Sequence, residues 1–137
     1  MKATARRAES GSYTHHVHIR DHRLTVDEPT DHGGADQGPH PQEIVAASLA
    51  SCVAITIEMY AERKGWDLGF LEVSCEYEQA PPGETTEFSV TLRLPDDLDP
   101  EQVERLKVIA GKCPVHRTLE GPVAITEQVE LMPADQL

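Results

Sequence analysis

Residues 33–64 read GGADQGPHPQEIVAASLASCVAITIEMYAERK, and this stretch decides the fold. A loop rich in glycine and proline leads into an apolar segment that runs from Ile44 to Ala61. The non-apolar residues of that segment are Ser48, Ser51, Cys52, Thr56 and Glu58. A helix that is apolar on nearly every side is expected to be buried on nearly every side, so we predict a central helix. Its cysteine then lies inside the protein or at an interface.

The ends of this helix carry recognisable signals. Pro41 suits the first helical position, where its missing N–H would have no partner in any case. Glu43 in the first turn complements the helix dipole. Gly65 suits a left-handed stop, so we predict a helix over residues 41–64.

The whole chain fits one domain, residues 1–137, with residues 1–12 as a frayed start whose later part could begin a strand. The net charge of −12 argues against nucleic acid and against an anionic membrane surface as partners. The apolar run approaches the length of about 20 residues that spans a bilayer. Glu58 and the charged end at 62–64 favour the core helix of a soluble protein instead.

The three cysteines, Cys52, Cys75 and Cys113, cannot all pair within one chain. The first residues are polar and contain no charged-then-apolar leader, so we expect a cytoplasmic, reducing location. In that compartment a cysteine pair is more often catalytic, redox-active or metal-binding than a structural disulfide.

Apolar residues alternate with polar ones in four short segments. Residues 13–19 and 24–26 predict a first hairpin around a tight turn at 20–23, and residues 71–77 and 88–94 predict a second. Asp99, Pro100 and Gln102 start a second helix, which we expect to run through Cys113 to a stop at Pro114. Residues 123–131 suggest a last strand with a break near Gln128. The order predicts an α+β fold of antiparallel sheets around a long buried helix.

Two of the cysteines are candidates for chemistry. Cys75 lies in phase with the apolar face of its strand and is read as a small core residue. Cys52 and Cys113 lie on helix faces that point inward, beside polar or turn-forming residues. A reactive thiol must be a thiolate. The helix dipole cannot achieve this at Cys52, eleven residues past Pro41.

A cation from elsewhere in the fold is therefore needed at Cys52. The candidates are Arg6, Arg7, Arg20, Arg23 and Arg117, with Glu43 or Glu58 to hold the cation in place. Among the arginines, Arg20 and Arg23 are preferred over Arg6 and Arg7.

The glycine loop at 33–38, the sequence PHPQEI at 39–44, Cys52, and KCPVHR at 112–117 together resemble the OsmC/Ohr family. This is the group of osmotically inducible protein C and organic hydroperoxide resistance proteins. The resemblance runs from about Val17 to the end of the chain. The helix cysteine combined with Cys-Pro-Val-His at this separation is the specific part.

The resemblance implies an intertwined homodimer with active sites at the subunit interface. It implies a thiol-dependent peroxidase of the oxidative stress response that acts on organic or inorganic hydroperoxides. Cys52 would attack the O–O bond and become a sulfenic acid, and Cys113 would condense with it to a disulfide. An external dithiol, such as one of the lipoyl type, would reduce that disulfide. No organic cofactor and no metal is implied.

The resemblance also implies an arginine–glutamate pair that tunes the reactive thiol. We assign the glutamate to Glu43 and the arginine to Arg20. In the hydroperoxide-resistance branch the glutamate stands one residue earlier, where this chain has Gln42. One residue turns a helical side chain by about 100°, so Glu43 is also a candidate for a purely structural first-turn acid.

Two other functions remain open. The first is a non-catalytic, stress-related binding module that holds an apolar ligand in the dimer cleft, with structural cysteines. The second is a metal site built from His15, His16, His18 and His22 in the first hairpin. Zinc sites need four converging ligands or three plus water, and alternating histidines are also typical of a wet strand face.

Overall fold

The computed structural model describes residues 1–134, and the last three residues of the predicted single domain 1–137 lie outside this range. The elements in chain order are β1 (Thr4–Arg7), β2 (His15–Ile19), β3 (His22–Val26), α1 (Pro41–Lys64), β4 (Glu72–Tyr77), β5 (Phe88–Arg93), α2 (Pro100–Ala110) and α3 (Pro114–Glu120). Both sheets are antiparallel, in the orders β1-β2-β3 and β4-β5. The α+β class predicted from the sequence is therefore confirmed.

The N-terminal sheet contains the predicted hairpin and one further strand. A two-residue turn joins β2 to β3, with Arg20 in the left-handed region at a φ of 53°. Residues 1–12 were expected to have a frayed start, with a strand beginning only in their later part as an alternative, and β1 already pairs with β2 from Thr4 opposite His18 to Arg7 opposite His15. This strand is defined by its main-chain hydrogen bonds to β2. Its side chains do not alternate between apolar and polar, so the sequence pattern could not predict it.

The central helix has the predicted bounds. Pro41 is its first residue, and Gly65 ends it with a φ of 70°. Leu49, Val53 and Ile57, spaced one turn apart, are buried. The expectation of burial on nearly every side is wrong for one chain alone, because Ile55 and Met59 are each 59% exposed.

By length and composition α1 is also the one helix among residues 1–134 that could cross a membrane. Core helices of soluble proteins pass the same test.

The core of the chain forms where α1 meets β4, β5, α2 and α3. Leu106 and Ile109 of α2 pack against the buried face of α1, and Val73 and Leu92 cover it from the sheet. A polar contact also joins the two longest helices. Arg105 Nε donates to the hydroxyl of Tyr60 at 2.8 Å, with its guanidinium 5.5 Å from the ring centre.

The second helix is shorter than predicted. It ends at Ala110, and a turn at 111–112 separates it from α3. Pro114, predicted to stop a helix, instead begins one. Proline lacks an N–H and has a fixed φ, so it is favoured at the first position of a helix. Cys113 therefore precedes a helix and does not lie at the C-terminal edge of one.

The predicted last strand over 123–131 is absent from the described chain. The segment has no regular secondary structure and pairs with neither sheet within residues 1–134. Its apolar side chains project into solvent, with Val123, Ile125, Val129 and Leu131 from 60% to 93% exposed. A strand needs a neighbour for its main-chain groups, and a single chain supplies none to this segment.

Candidate active site

Cys52 and Cys113 come together in the core although 60 residues separate them in the sequence. Cys52 lies on α1 next to the buried Val53, is half-buried, and packs against the core cluster. Cys113 is 0% exposed. Both cysteines are free thiols, Cys52 packs against the core cluster that contains Cys113, and its presence raises the pKa of Cys113. The predicted pair of inward-facing cysteines thus shares one site.

Cys113 is held by the start of α3. Its main chain is extended, with a φ of −65° and a ψ of 143°, which is the conformation of an N-cap residue. The N–H of His116 donates to its Sγ at 3.2 Å. The sequence offers a signal for this role, because a capping residue directly before a proline is typical of a helix start.

The surroundings of Cys113 keep its thiol protonated. Burial raises the pKa of Cys113, and the adjacent Cys52 raises it further against the opposing hydrogen bond from His116. A thiolate that forms here would be poorly solvated and would lie next to another sulfur. Cys113 is therefore the less suitable of the pair to attack a substrate as a thiolate.

Glu43 caps the start of α1. Its Oε1 accepts from the N–H of His40 at 3.1 Å and lies 3.5 Å from His40 Nε2. Nine residues of helix separate Glu43 from Cys52, which is about 13 Å along the axis. These contacts are those of the structural first-turn acid, the alternative considered for this residue. Gln42 instead donates to Gln79 at 2.8 Å.

The candidate arginines of the first hairpin lie in different directions. Arg20 is exposed in the turn between β2 and β3. The strand register puts Arg6 and Arg23 on the sheet face that points away from α1. Arg7 is opposite His15 and shares the other face. The ion pairs described for residues 1–134 bring none of these four to Glu43 or Glu58.

A buried carboxylate at the start of the loop before α1 was missed by the sequence analysis. Asp27 is 1% exposed and accepts from Thr14 Oγ1 at 2.9 Å and from the N–H groups of Glu28 and Gln37 at 2.8 and 3.2 Å. Burial opposes its ionisation, but these hydrogen bonds prevail and lower the pKa of Asp27. Nothing in the run Asp27-Glu28-Pro29 signalled a buried carboxylate.

Asp27 and two glycines fix the loop that leads into α1. A Cβ on Gly34 would lie 1.8 Å from the carbonyl oxygen of Glu28, and one on Gly38 would lie 2.1 Å from that of Thr25. Both glycines are therefore required by close approach of main chain to main chain. The loop packs against the end of β3 and sets the position of the first turn of α1.

The remaining cysteine and the histidines do not extend the site. Cys75 packs against the core as predicted, and burial together with Glu76 raises its pKa. Among residues 1–134, no group of three or more histidine, cysteine, aspartate or glutamate side chains is placed to hold a metal ion.

Residues 33–128 match the protein family described as OsmC-like protein. The chain belongs to the OsmC-like protein family. The match covers the glycine loop, α1 with Cys52, Cys113 with α3, and both strands of the second sheet. Among curated proteins, none matches this chain in sequence.

Solved structures share the fold of this OsmC-like chain. An OsmC-like protein from Mycoplasma pneumoniae aligns with a TM-score of 0.73 and 19% identity over 88% of this chain and 86% of that chain. An organic hydroperoxide resistance protein OsmC from Legionella pneumophila aligns at 0.64 and 25%, over 88% of each chain. OhrB of Bacillus subtilis, an organic hydroperoxide resistance protein, aligns at 0.60 and 23%, over 88% and 90%.

Proposed function

We propose that this OsmC-like chain is a cysteine-based peroxidase that reduces organic or inorganic hydroperoxides. The adjacency of the Cys52 and Cys113 thiols in the core carries the proposal, because two neighbouring thiols can store the two electrons that a peroxide requires. The names of two structural relatives, which are organic hydroperoxide resistance proteins, agree with it.

The reaction assigns different roles to the two sulfurs. The Cys52 thiolate attacks one oxygen of ROOH, so the O–O bond breaks, an S–O bond forms and ROH leaves after taking up a proton. The sulfur of Cys113 then attacks the sulfenic acid at Cys52. The S–S bond forms, and the hydroxyl leaves as water with the proton of the Cys113 thiol. Half-buried Cys52 is open to a peroxide, whereas Cys113 is enclosed and protonated.

An external dithiol completes the cycle. It supplies two electrons and two protons, restores both thiols and becomes a disulfide itself. A small dithiol of the lipoyl type fits this role. We place the cycle in the cytoplasm, where reductants keep thiols reduced. The residues need no organic cofactor and no metal for these steps.

The tuning of Cys52 is part of the proposal. Glu43 and Arg20 remain the assigned pair, and its assembly would need contacts beyond those of one chain. A homodimer offers such contacts. The exposed apolar side chains at 123–131, together with Ile55 and Met59, form surfaces that a second copy would cover.

Thiol titration and mass measurement test the peroxidase. Reduced protein treated with cumene hydroperoxide or hydrogen peroxide should lose two hydrogens and gain a Cys52–Cys113 link. Cys113→Ser should instead accumulate a sulfenic acid that dimedone traps, and Cys75→Ser should react like the parent chain. Unchanged thiols in excess peroxide, or full turnover by Cys52→Ser, would overturn the proposal.

A second function is favoured by a cavity of about 610 Å³ between the N-terminal sheet and the start of α1. Its lining includes Ala5, Val17, Val26 and Ile44, so it suits an apolar ligand. A stress-related binding module would use this cavity without turnover. Two results together would support this alternative. The protein would bind an apolar fluorophore saturably, and its thiols would not react with peroxide.

A further inference from the structure

The N-terminal sheet has two unlike faces. Ala5, Val17 and Val26 line the cavity that also borders Pro41 and Ile44 of α1, so their face is directed toward the body of the chain. The alternate positions form the opposite face. In the strand register, that face has two cross-strand rows, one of Thr4, His18 and Arg23 and the other of Arg6, His16 and Thr25. We call these six residues the polar face.

Charge is distributed unevenly between this sheet and the remaining chain. Residues 1–26 contain five lysines and arginines against two carboxylates, along with four of the seven histidines. Residues 27–137 contain seven lysines and arginines against 22 carboxylates. No member of the polar face is acidic, and Arg6, His18 and Arg23 are exposed. The N-terminal sheet segment is thus net positive in a chain whose net charge is −12.

The cross-strand pairing on this face gives its arginines no opposite charge. Arg6 lies directly opposite His16, and Arg23 directly opposite His18. Neither neighbour is acidic, so neither guanidinium gains the stabilisation that an opposite charge at the opposed position provides. None of the ion pairs described for residues 1–134 involves Arg6 or Arg23. An anion from another molecule would supply that opposite charge.

We propose that the polar face binds an extended acidic segment of a partner protein. Arg6 and Arg23 lie on the two outer strands, about 10 Å apart across the sheet and about 7 Å apart along it. A single phosphate is too small to contact both guanidinium groups. An extended peptide places the side chains of every second residue on one side at about 6.8 Å intervals, so alternating carboxylates match this spacing.

The same dimensions disfavour a nucleic-acid duplex. The face is only three short strands wide, and a longer polyanion would continue along a body with 22 carboxylates. Because the face points away from α1, and therefore from Cys52, binding here is separate from the proposed peroxidase reaction.

Fluorescence anisotropy with a labelled peptide of alternating glutamate and serine tests the proposal. The parent protein should bind it saturably at about 0.02 M salt and lose most of that binding at about 0.5 M, because exposed charges are screened. A peptide with glutamine in place of glutamate should not bind. Arg6→Glu/Arg23→Glu should weaken binding at least about tenfold.

A double variant with the same change in net charge provides the control. Arg63→Glu/Lys112→Glu alters two exposed cations outside the polar face and should keep the parent affinity. Arg6→Glu/Arg23→Glu should unfold as cooperatively as the parent and at a similar temperature, since both substitutions lie at exposed positions. Weaker binding together with parent-like unfolding excludes misfolding as the cause.

Three results would overturn the proposal. The first is an absence of binding by the parent protein at low salt. The second is equal weakening by the two double variants, which would indicate net charge alone. The third is binding of a short DNA duplex as tightly as the acidic peptide, which would identify the face as a nucleic-acid surface.

Discussion

The main-chain N–H of His116 donates to the Sγ of Cys113 at 3.2 Å, so the buried thiol is the N-cap of α3. The contact therefore has two structural effects. It sets the first residue of α3, and it holds the sulfur of Cys113 next to Cys52. The position of the proposed resolving thiol is thus set by helix capping, a local and predictable interaction.

Replacement of Cys113 should separate its role as the N-cap of α3 from its proposed role in the peroxidase reaction. Serine retains an acceptor for the His116 N–H, whereas alanine leaves that N–H without a partner. We expect Cys113→Ala to be less stable than Cys113→Ser by about 1 kcal/mol in urea unfolding. At Cys75, in the middle of β4, no cap exists, so Cys75→Ala should be at least as stable as Cys75→Ser. The same order at both positions would contradict the capping role.

Local signals in the sequence were sufficient for most elements. The bounds of α1 follow from Pro41 and Gly65, which act on the main chain next to them. The two predicted hairpins follow from alternation that reflects one wet and one dry face. The bounds of β1 were not predicted because its residues carry no such alternation, and only its distant partner β2 makes it a strand.

The sequence was misleading where apolar side chains stay exposed in one chain. Val123, Ile125, Val129 and Leu131 alternate as strand residues do, yet they are exposed and unpaired in the described chain. Ile55 and Met59 on the apolar helix α1 are exposed as well. The two cysteines were identified from the residues next to them in the sequence. The buried Asp27 was not identified, because burial of a carboxylate depends on tertiary hydrogen bonds.

Asp27 should make the protein sensitive to acid. Its folded pKa is lowered below the ordinary value of 3.8, so the stability it contributes is present above that value and is lost as the pH falls through the folded pKa. Asp27→Asn should therefore be less stable than the parent at neutral pH, and the gap should shrink in acid. Thermal unfolding across pH 7 to about 2.5 measures this. Asp31→Asn, at an exposed carboxylate, should follow the parent curve throughout; a constant gap for Asp27→Asn would contradict the assignment.

Gly34 should tolerate no side chain. Its Cβ would overlap the Glu28 carbonyl oxygen at 1.8 Å, and main chain on both sides limits relaxation. We expect Gly34→Ala to lose at least about 3 kcal/mol in chemical unfolding, or to fail to accumulate as soluble protein.

Gly111 is the matched position for this test. Its φ of −71° and ψ of −6° suit alanine, and the nearest atom to an added Cβ is 3.6 Å away. Gly111→Ala should be more stable than the parent by about 0.5 kcal/mol, because alanine has less freedom to lose on folding. Equal effects at the two glycines would show that the loop before α1 is free to rearrange.

The exposed apolar segment at 123–131 should mediate self-association. Ile125 and Leu131 are 78% and 93% exposed within one chain, and each would contribute about 1.5–3 kcal/mol if a second copy buried it. Ile125→Asp/Leu131→Asp should therefore weaken a homodimer by at least about a hundredfold, measured by sedimentation equilibrium. Val108→Asp, at an exposed apolar side chain of α2, should leave the dimer intact. A parent protein that sediments as a monomer at micromolar concentration would exclude the proposed dimer, and with it the assembly of Arg20 and Glu43 around Cys52 across an interface.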